Sequence, residues 1–195
     1  MSVIGVTGGV GSGKSSVLQL LEQEYGARIV QADQIARDLM EPGKAAYQAV
    51  IRDFGPEVMT KEGTIDRSRL AEVVFPDPEK LLHLNSLTHP LVEEELVRIL
   101  QESPEALLVL EAALPIEAGF RRHCDQIWYI HAPLEVRIAR LMQDRGYSRE
   151  RCLEIISRQP TEAEFRRVCH VEIENGGDLE EMARQVRARM DCVNA

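Results

Sequence analysis

The sequence predicts a three-layer α/β/α fold, in which helices cover both faces of a parallel sheet of about five strands. Apolar segments of strand length alternate along the chain with segments of helical periodicity, and strands that alternate with helices form parallel sheets. A glycine-rich stretch separates the first apolar segment from the first helical one, and this strand, loop and helix order opens many folds of the class.

Five segments have the length and apolar character of strands. They are residues 2–7, 27–31, 106–110, 126–131 and 168–173. Helical spacing follows several of them, most clearly in residues 14–25, which end before Gly26, and in residues 133–145, where Pro133 stands near the start. Asp178 is the predicted cap of a last helix.

The stretch between Met40 and Pro104 interrupts this alternation, because its pattern is mostly helical and is broken by glycines and prolines. We predict a single domain of residues 1–195, with a core of residues 1–40 and 105–195 and a helical, acceptor-binding insertion at about residues 40–104. Pro90 lacks the amide hydrogen that a helix interior needs. It therefore predicts two helices that meet near residues 88–90.

Charge and cysteine content argue against several classes of protein. The net charge is −9, from 23 basic and 32 acidic side chains, which does not suit a protein that coats nucleic acid. The four cysteines have no C-x-x-C spacing, so reduced thiols are expected rather than a metal cluster or a disulfide framework. No apolar run approaches the ~20 residues that span a bilayer, and early glycines interrupt any secretory signal. We expect a cytoplasmic protein without a nucleic-acid or membrane partner.

Residues 8–15, GGVGSGKS, match the phosphate-binding P-loop pattern G-x-x-x-x-G-K-[ST] between a predicted strand and a predicted helix. Glycines let the backbone curl until its N–H groups converge on phosphate, and the helix N-terminus adds its positive dipole end. Lys14 supplies a cation and Ser15 a hydroxyl group for Mg²⁺, so ATP and Mg²⁺ are the expected cofactors. The nucleotide-binding residues predicted here are Gly11, Ser12, Gly13, Lys14, Ser15 and Ser16. A chance match is the alternative, expected in about one chain in a hundred of this length.

Two other classes of P-loop protein fit the chain poorly. A GTPase needs a guanine-reading N-K-x-D string, and the sequence has none. A motor or transporter ATPase is usually larger and has a Walker B strand that ends in Asp, whereas the candidate strand here ends in Glu111. A compact kinase fits better, and it needs an acceptor-orienting carboxylate, a metal ion and cations on the migrating phosphoryl group.

Candidates for these parts are present, each with an alternative left open. Asp33 follows the second predicted strand, where ligands of parallel sheets gather, and either accepts the proton of the acceptor hydroxyl or caps the next helix. Glu111 either holds Mg²⁺ through water or is a solvated carboxylate. An arginine-rich segment at about residues 137–160 fits either a lid over ATP phosphates or two solvated helices with i,i+4 ion pairs. Its arginines are Arg137, Arg140, Arg145, Arg149, Arg151 and Arg158.

Nearly the whole chain resembles the dephospho-CoA kinase family. The resemblance is carried by TGGVGSGKS at residues 7–15, ADQIAR at 32–37, HP at 89–90, Glu117, RL at 140–141 with Gln159, and NG at 175–176. It implies a P-loop kinase that moves the γ-phosphoryl group of MgATP to the 3′-hydroxyl of dephospho-coenzyme A, giving coenzyme A and ADP.

The resemblance also implies roles for single residues. Asp33 would be the general base, Lys14 and Arg140 would act on the transferring phosphoryl group, and Ser15 would bind Mg²⁺. Asn175 would lie near the adenine of ATP, although its own pattern, Asn-Gly, indicates only a turn. The acceptor would contact Asp33, Arg37, His89 and Glu117. For His89, shaping the helix junction is the alternative.

The chain departs from the family pattern at several positions. Gln31 stands where the family commonly has the first Asp of D-A-D, Ser16 replaces a frequent Thr, and residues 111–117 differ from D-x-P-L-L-F-E. These changes concern the metal's water ligands and the acceptor pocket more than the reaction type.

The alternative functions are those of another small-molecule P-loop kinase, acting on a nucleoside or nucleoside monophosphate, and of a nucleotide-dependent binding protein without activity. The sequence gives no indication of the oligomeric state.

Overall fold

The computed structural model of the chain describes residues 1–112 and 120–193. Five parallel strands form one sheet in the order β2-β3-β1-β4-β5. Their bounds are β1 Ser2–Thr7, β2 Arg28–Gln31, β3 Leu107–Glu111, β4 Gln126–His131 and β5 Val171–Glu174. The predicted three-layer α/β fold with a parallel five-stranded sheet is confirmed.

Helices connect the strands. In the described residues they are α1 Lys14–Tyr25, α2 Ala32–Leu39, α3 Tyr47–Phe54, α4 Arg67–Val74, α5 Pro78–Glu102, α6 Leu134–Arg145, α7 Arg149–Ser157, α8 Glu162–Val168 and α9 Leu179–Val193. Short 3-10 turns cover Pro56–Val58 and Phe120–His123. The prediction for α1 was right at both ends, and Asp178 caps α9, because its carboxylate accepts a hydrogen bond from the Glu181 amide at 2.7 Å.

The chain divides into two compact units, Met1–Val30 with Pro104–Ala195, and Gln31–Ser103. The first unit contains the sheet, whose central strands carry fully buried side chains such as Ile4, Trp128 and Ile130. Strands that are apolar on both sides require cover on both faces, which explains the continuous apolar runs in the sequence.

The fifth strand begins three residues later than predicted. The residues before it belong to α8, which starts with a capping box in which Thr161 and Glu164 satisfy each other's backbone amides. This helix begins at a well-defined cap and ends at Val168, and the strand follows at Val171. The run at residues 168–173, predicted as one strand, therefore spans the end of a helix and the start of a strand.

The second unit is helical and has its own core around Val50, Phe54 and Leu70. The predicted break at Pro90 is wrong, because α5 runs unbroken over 25 residues with Pro90 inside it. One proline removes a single i to i−4 hydrogen bond, while the turns on either side retain theirs. Asp77 also fixes the start of this helix, since its side chain accepts from the amides of Glu79 and Lys80.

The cysteines are free thiols, and none forms a disulfide in the residues that the structure describes. Burial is the main cause that raises the pKa of Cys124 to about 12 and that of Cys169 to about 11. Both side chains are therefore protonated at neutral pH and are poor nucleophiles. None of the described helices combines the length and the apolar character needed to cross a membrane.

Candidate active site

The P-loop joins β1 to α1 at the carboxyl edge of the sheet. Strand β1 ends at Thr7 and α1 begins at Lys14, so residues 8–13 form the loop. Gly11 and Gly13 adopt φ angles of +76° and +82°, a left-handed conformation that side chains other than glycine rarely adopt. Left-handed glycines that lead into a helix N-terminus form a backbone concavity suited to an anion.

Side chains at the start of α1 complete this concavity. The Lys14 ammonium donates to the carbonyl of Gly8 at 2.9 Å and of Gly9 at 3.4 Å, so it lies across the first part of the loop. Ser15 is exposed in the first helical turn, and Ser16 is half-buried beside it. The residues predicted to bind nucleotide therefore form one continuous stretch of loop and helix.

Arg140 and Asn175 hold the loop from the side of its carbonyl groups. The Arg140 guanidinium donates to the carbonyls of Ser12 at 3.2 Å, Gly11 at 3.4 Å and Asn175 at 2.8 Å. The Asn175 amide nitrogen donates to the carbonyls of Ser12 at 2.9 Å and Gly13 at 3.3 Å. The structure thus brings these two residues to the P-loop, although they are distant in sequence. A role of Arg140 on the phosphoryl group stays a prediction.

Asn175 is only 1% exposed, and its amide orientation is fixed by what it contacts. Two carbonyl oxygens face one end of the amide, and only the NH₂ group can donate to both. The other end, Oδ1, is buried without a hydrogen-bond partner in the described residues, and so is the hydroxyl oxygen of Ser12. Buried polar atoms normally have partners, so both atoms indicate where a ligand or water would be bound.

Arg137 is a candidate functional residue to which the sequence analysis assigns no role of its own. It is predicted there only as one of the arginines of the lid at about residues 137–160. It is 9% exposed on α6, and its guanidinium donates to the carbonyl of Val10 and to the side chain of Gln159, each at 2.9 Å. Its spacing from the buried Leu141 was the available signal, because residues four apart share a helix face. An arginine on the apolar face of a helix needs a polar partner inside the protein.

The other arginines of the predicted lid form surface ion pairs where their contacts are defined. Arg149 pairs with Glu135 on α6, and both Arg151 and Arg158 pair with Glu154. The predicted i,i+4 spacing is right for Arg158, whereas Arg151 pairs with the same glutamate at i,i+3. A lid over ATP at about residues 137–160 stays a prediction.

The structure changes the interpretation of Asp33. Helix α2 is capped at Gln31, without a side-chain cap hydrogen bond, and Asp33 lies exposed in the first turn. The alternative that Asp33 is a helix cap is therefore wrong, which leaves its carboxylate available for another role.

The remaining predicted acceptor residues are less closely defined. Arg37 is exposed one turn after Asp33, and His89 is half-buried within α5. Glu117 lies outside the described residues. Glu111 is half-buried at the end of β3, where it pairs in register with Val6 of β1.

A cluster of charged groups stands at the carboxyl end of β4. His131 contacts Glu174 of β5 through Nδ1, and its Nε2 lies 3.2 Å from Glu162 of α8. Arg166 donates to both carboxylate oxygens of Glu172, each at 2.9 Å, and to Glu162 at 3.0 Å. The cluster ties α8 to the sheet, and its carboxylates already have cationic partners.

This cluster predicts a pH dependence of stability. Burial acts to lower the pKa of His131, but the hydrogen bonds and charges of Glu174 and Glu162 together raise it above its ordinary 6.5. The stabilisation is therefore complete below about pH 6.5 and is lost as the pH rises through the folded-state pKa. The difference in unfolding free energy between wild type and His131→Gln should be largest at about pH 6 and shrink towards about pH 9. Urea unfolding followed by the fluorescence of Trp128 measures it, and parallel pH profiles would contradict the prediction.

Residues 2–181 match the protein-family model described as dephospho-CoA kinase. The chain belongs to the dephospho-CoA kinase family. A dephospho-CoA kinase of Carboxydothermus hydrogenoformans is 41% identical over 189 residues, which cover 95% of this chain and 91% of that protein.

Solved structures share the fold of this chain. A crystal structure from Thermus thermophilus has a TM-score of 0.85 at 34% identity and covers 98% of this chain and 97% of its own. A dephospho-CoA kinase from Campylobacter jejuni has a TM-score of 0.70 at 23% identity, with 98% and 96% covered, and supports the fold alone. The resemblance seen in the sequence is confirmed, as is the prediction of an ATP-dependent kinase.

Proposed function

We propose that this member of the dephospho-CoA kinase family transfers the γ-phosphoryl group of MgATP to the 3′-hydroxyl of dephospho-coenzyme A, giving coenzyme A and ADP. The observation that carries the proposal is a complete P-loop in a chain that matches this family over residues 2–181. Phosphoryl transfer depends mainly on positioning and charge neutralisation, which a loop of this kind provides. We also propose that the reaction takes place in the cytoplasm.

The groups around the P-loop suit ATP. Backbone amides at the start of α1 and the Lys14 ammonium suit the β- and γ-phosphates. The buried Oδ1 of Asn175 can accept one hydrogen bond, and the amino group of adenine is a donor of the right kind. We therefore assign Asn175 a double role, in which the NH₂ group holds the loop and the oxygen faces the base.

Magnesium, when bound, neutralises charge on the phosphate oxygens. The donor set fits a hard cation, because Ser15 offers a hydroxyl oxygen in the first turn of α1. Glu111 offers a carboxylate at the end of the strand beside β1, at the register of Val6. We assign Ser15 as a direct ligand and Glu111 as a residue that orients the metal's water.

The acceptor side of the proposal rests on the family resemblance and on the exposed carboxylate of Asp33. Asp33 would remove the proton of the 3′-hydroxyl, with Arg37, His89 and Glu117 contacting the remainder of the acceptor. Arg140 and Lys14 would face the migrating phosphoryl group. The exclusion of the helix-cap alternative supports Asp33, because its exposed carboxylate is not used to cap α2.

A panel of acceptors tests the proposed function. ADP release with ATP and Mg²⁺ should be stimulated most by dephospho-coenzyme A and not by coenzyme A, whose 3′ position is already phosphorylated. Coenzyme A is thus a matched control for binding without reaction. Faster turnover of adenosine or of a nucleoside monophosphate would favour another small-molecule kinase. Tight ATP binding with no stimulation by any acceptor would favour a binding protein.

A further inference from the structure

Val10, a residue of the P-loop, is held by two side chains from outside the loop. The amide of Val10 donates to Oε1 of Gln159 at 2.9 Å, and its carbonyl accepts from Nε of Arg137 at 2.9 Å. The Nη2 of Arg137 donates to the same Gln159 oxygen at 2.9 Å. Three groups therefore form a closed set of hydrogen bonds, in which both backbone groups of Val10 are occupied.

These contacts join three separate parts of the chain. Val10 is in the loop after β1, Arg137 is on α6, and Gln159 lies between α7 and α8. A side chain added at Gly9 would overlap the Arg137 guanidinium, so the arginine packs directly against the loop backbone. Arg137 thus fixes the loop at Val10, and Arg140 and Asn175 fix it nearer α1, at Ser12.

Burial disfavours the charge of Arg137, and the attraction of the Glu162 carboxylate offsets only part of this effect. The side chain is 9% exposed, and within residues 1–112 and 120–193 its guanidinium donates hydrogen bonds to neutral oxygens, those of the Val10 carbonyl and the Gln159 side chain. Burial lowers its pKa, although an arginine stays protonated at neutral pH. An apolar side chain of similar length would fill the same space without this desolvation cost. A role in holding the phosphate-binding loop would account for an arginine at this buried position.

We propose that Arg137 is a positioning residue of the kinase: through Val10 and Gln159 it holds the P-loop in the conformation that binds the ATP phosphates. The inference rests on the proposed function, because it requires the loop to bind ATP. It differs from a catalytic assignment, since Arg137 acts through the loop backbone. Its charge adds to the positive potential behind the loop.

The test compares Arg137→Met, which removes the fork and the charge, with Arg137→Lys, which keeps the charge. Steady-state kinetics with ATP and dephospho-coenzyme A should show kcat/KM for ATP reduced roughly tenfold or more in Arg137→Met, as for lost hydrogen bonds to a charged group. The KM for dephospho-coenzyme A should stay within about twofold of the wild type, since the defect is confined to the loop. Arg137→Lys should recover part of the loss.

Arg184→Met is the matched control, because it removes an arginine of the same unit that pairs with Glu181 on the surface of α9. It should leave all constants unchanged. Gln159→Met should resemble Arg137→Met, and the double variant should be no worse than either, because the two residues act through one set of contacts.

Failure of this inference differs from failure of the proposed function. If the wild type does not phosphorylate dephospho-coenzyme A, the function fails and Arg137 is not the cause. If the wild type is active and folded Arg137→Met keeps its kcat/KM for ATP, the positioning role is wrong. Equal changes for both substrates together with a lower melting temperature would also overturn it, since they indicate general destabilisation. Should Arg137→Met not fold, Arg137→Lys and Gln159→Met decide by the same constants.

Discussion

An Asp33→Asn variant is expected to bind ATP as the wild type does and to turn over on the order of 10²-fold more slowly or worse. The substitution keeps the size of the side chain and removes its ability to accept a proton. ATP binding should persist because the P-loop belongs to the other compact unit of the chain. Calorimetric titration with ATP and initial rates with dephospho-coenzyme A separate the two effects.

The fold predicts that Asp33→Asn leaves stability almost unchanged. Asp33 is exposed in the first turn of α2, and the cap of this helix, at Gln31, uses no side-chain hydrogen bond. Loss of a favourable interaction with the helix dipole would cost only about 0.3–1 kcal/mol at an exposed position. A large loss of turnover could then not be attributed to unfolding.

Asp38→Asn is the matched control for Asp33→Asn. Asp38 lies on the same helix, is exposed, and accepts a hydrogen bond from Gln34 at 2.7 Å. It should retain wild-type turnover. If Asp33→Asn were as active as Asp38→Asn, Asp33 would not be the general base and the proposed acceptor site would need another carboxylate.

The sequence predicted best where the signal was local. The P-loop motif, its glycines and the helix after it depend on neighbouring residues, and α1 was predicted at both ends. The local rule failed at Pro90, because the turns of α5 on either side of this proline retain their hydrogen bonds and the helix continues through it. A local rule gives the energetic cost of placing a proline inside a helix. It does not include the packing of the rest of the helix, which outweighs that cost.

The contacts around the P-loop could not be predicted from local signals. Arg137 and Arg140 were both placed in a lid, yet their hydrogen bonds go to loop carbonyls more than 120 residues earlier in the chain. Charge pattern alone does not distinguish an arginine that faces solvent from one that faces a backbone turn. The orphan oxygen of Asn175 is likewise visible only in three dimensions.

A Lys14→Ala variant is expected to lose about 4 kcal/mol of transition-state stabilisation, or roughly 10³-fold in kcat/KM for ATP. The Lys14 ammonium donates to the carbonyls of Gly8 and Gly9 and therefore already lies at the phosphate-binding loop. A small movement of the side chain would bring it to a phosphate oxygen. The charge on the phosphoryl oxygens is redistributed in the transition state, and the loss should therefore appear in kcat as well as in KM. Initial rates over a range of ATP concentrations measure both.

Lys80→Ala is the control for Lys14→Ala, because Lys80 is an exposed lysine of α5 that pairs at 3.8 Å with Asp77, the cap of the same helix. It should behave as the wild type.

Lys14→Ala also removes two hydrogen bonds to the loop, so a part of its effect could come from a disordered loop rather than from a missing charge. ATP affinity distinguishes these causes: a loop defect alone weakens binding and kcat/KM equally, whereas a missing transition-state cation lowers kcat beyond the loss of affinity. Wild-type kcat in Lys14→Ala would leave this lysine only its hydrogen bonds to the loop.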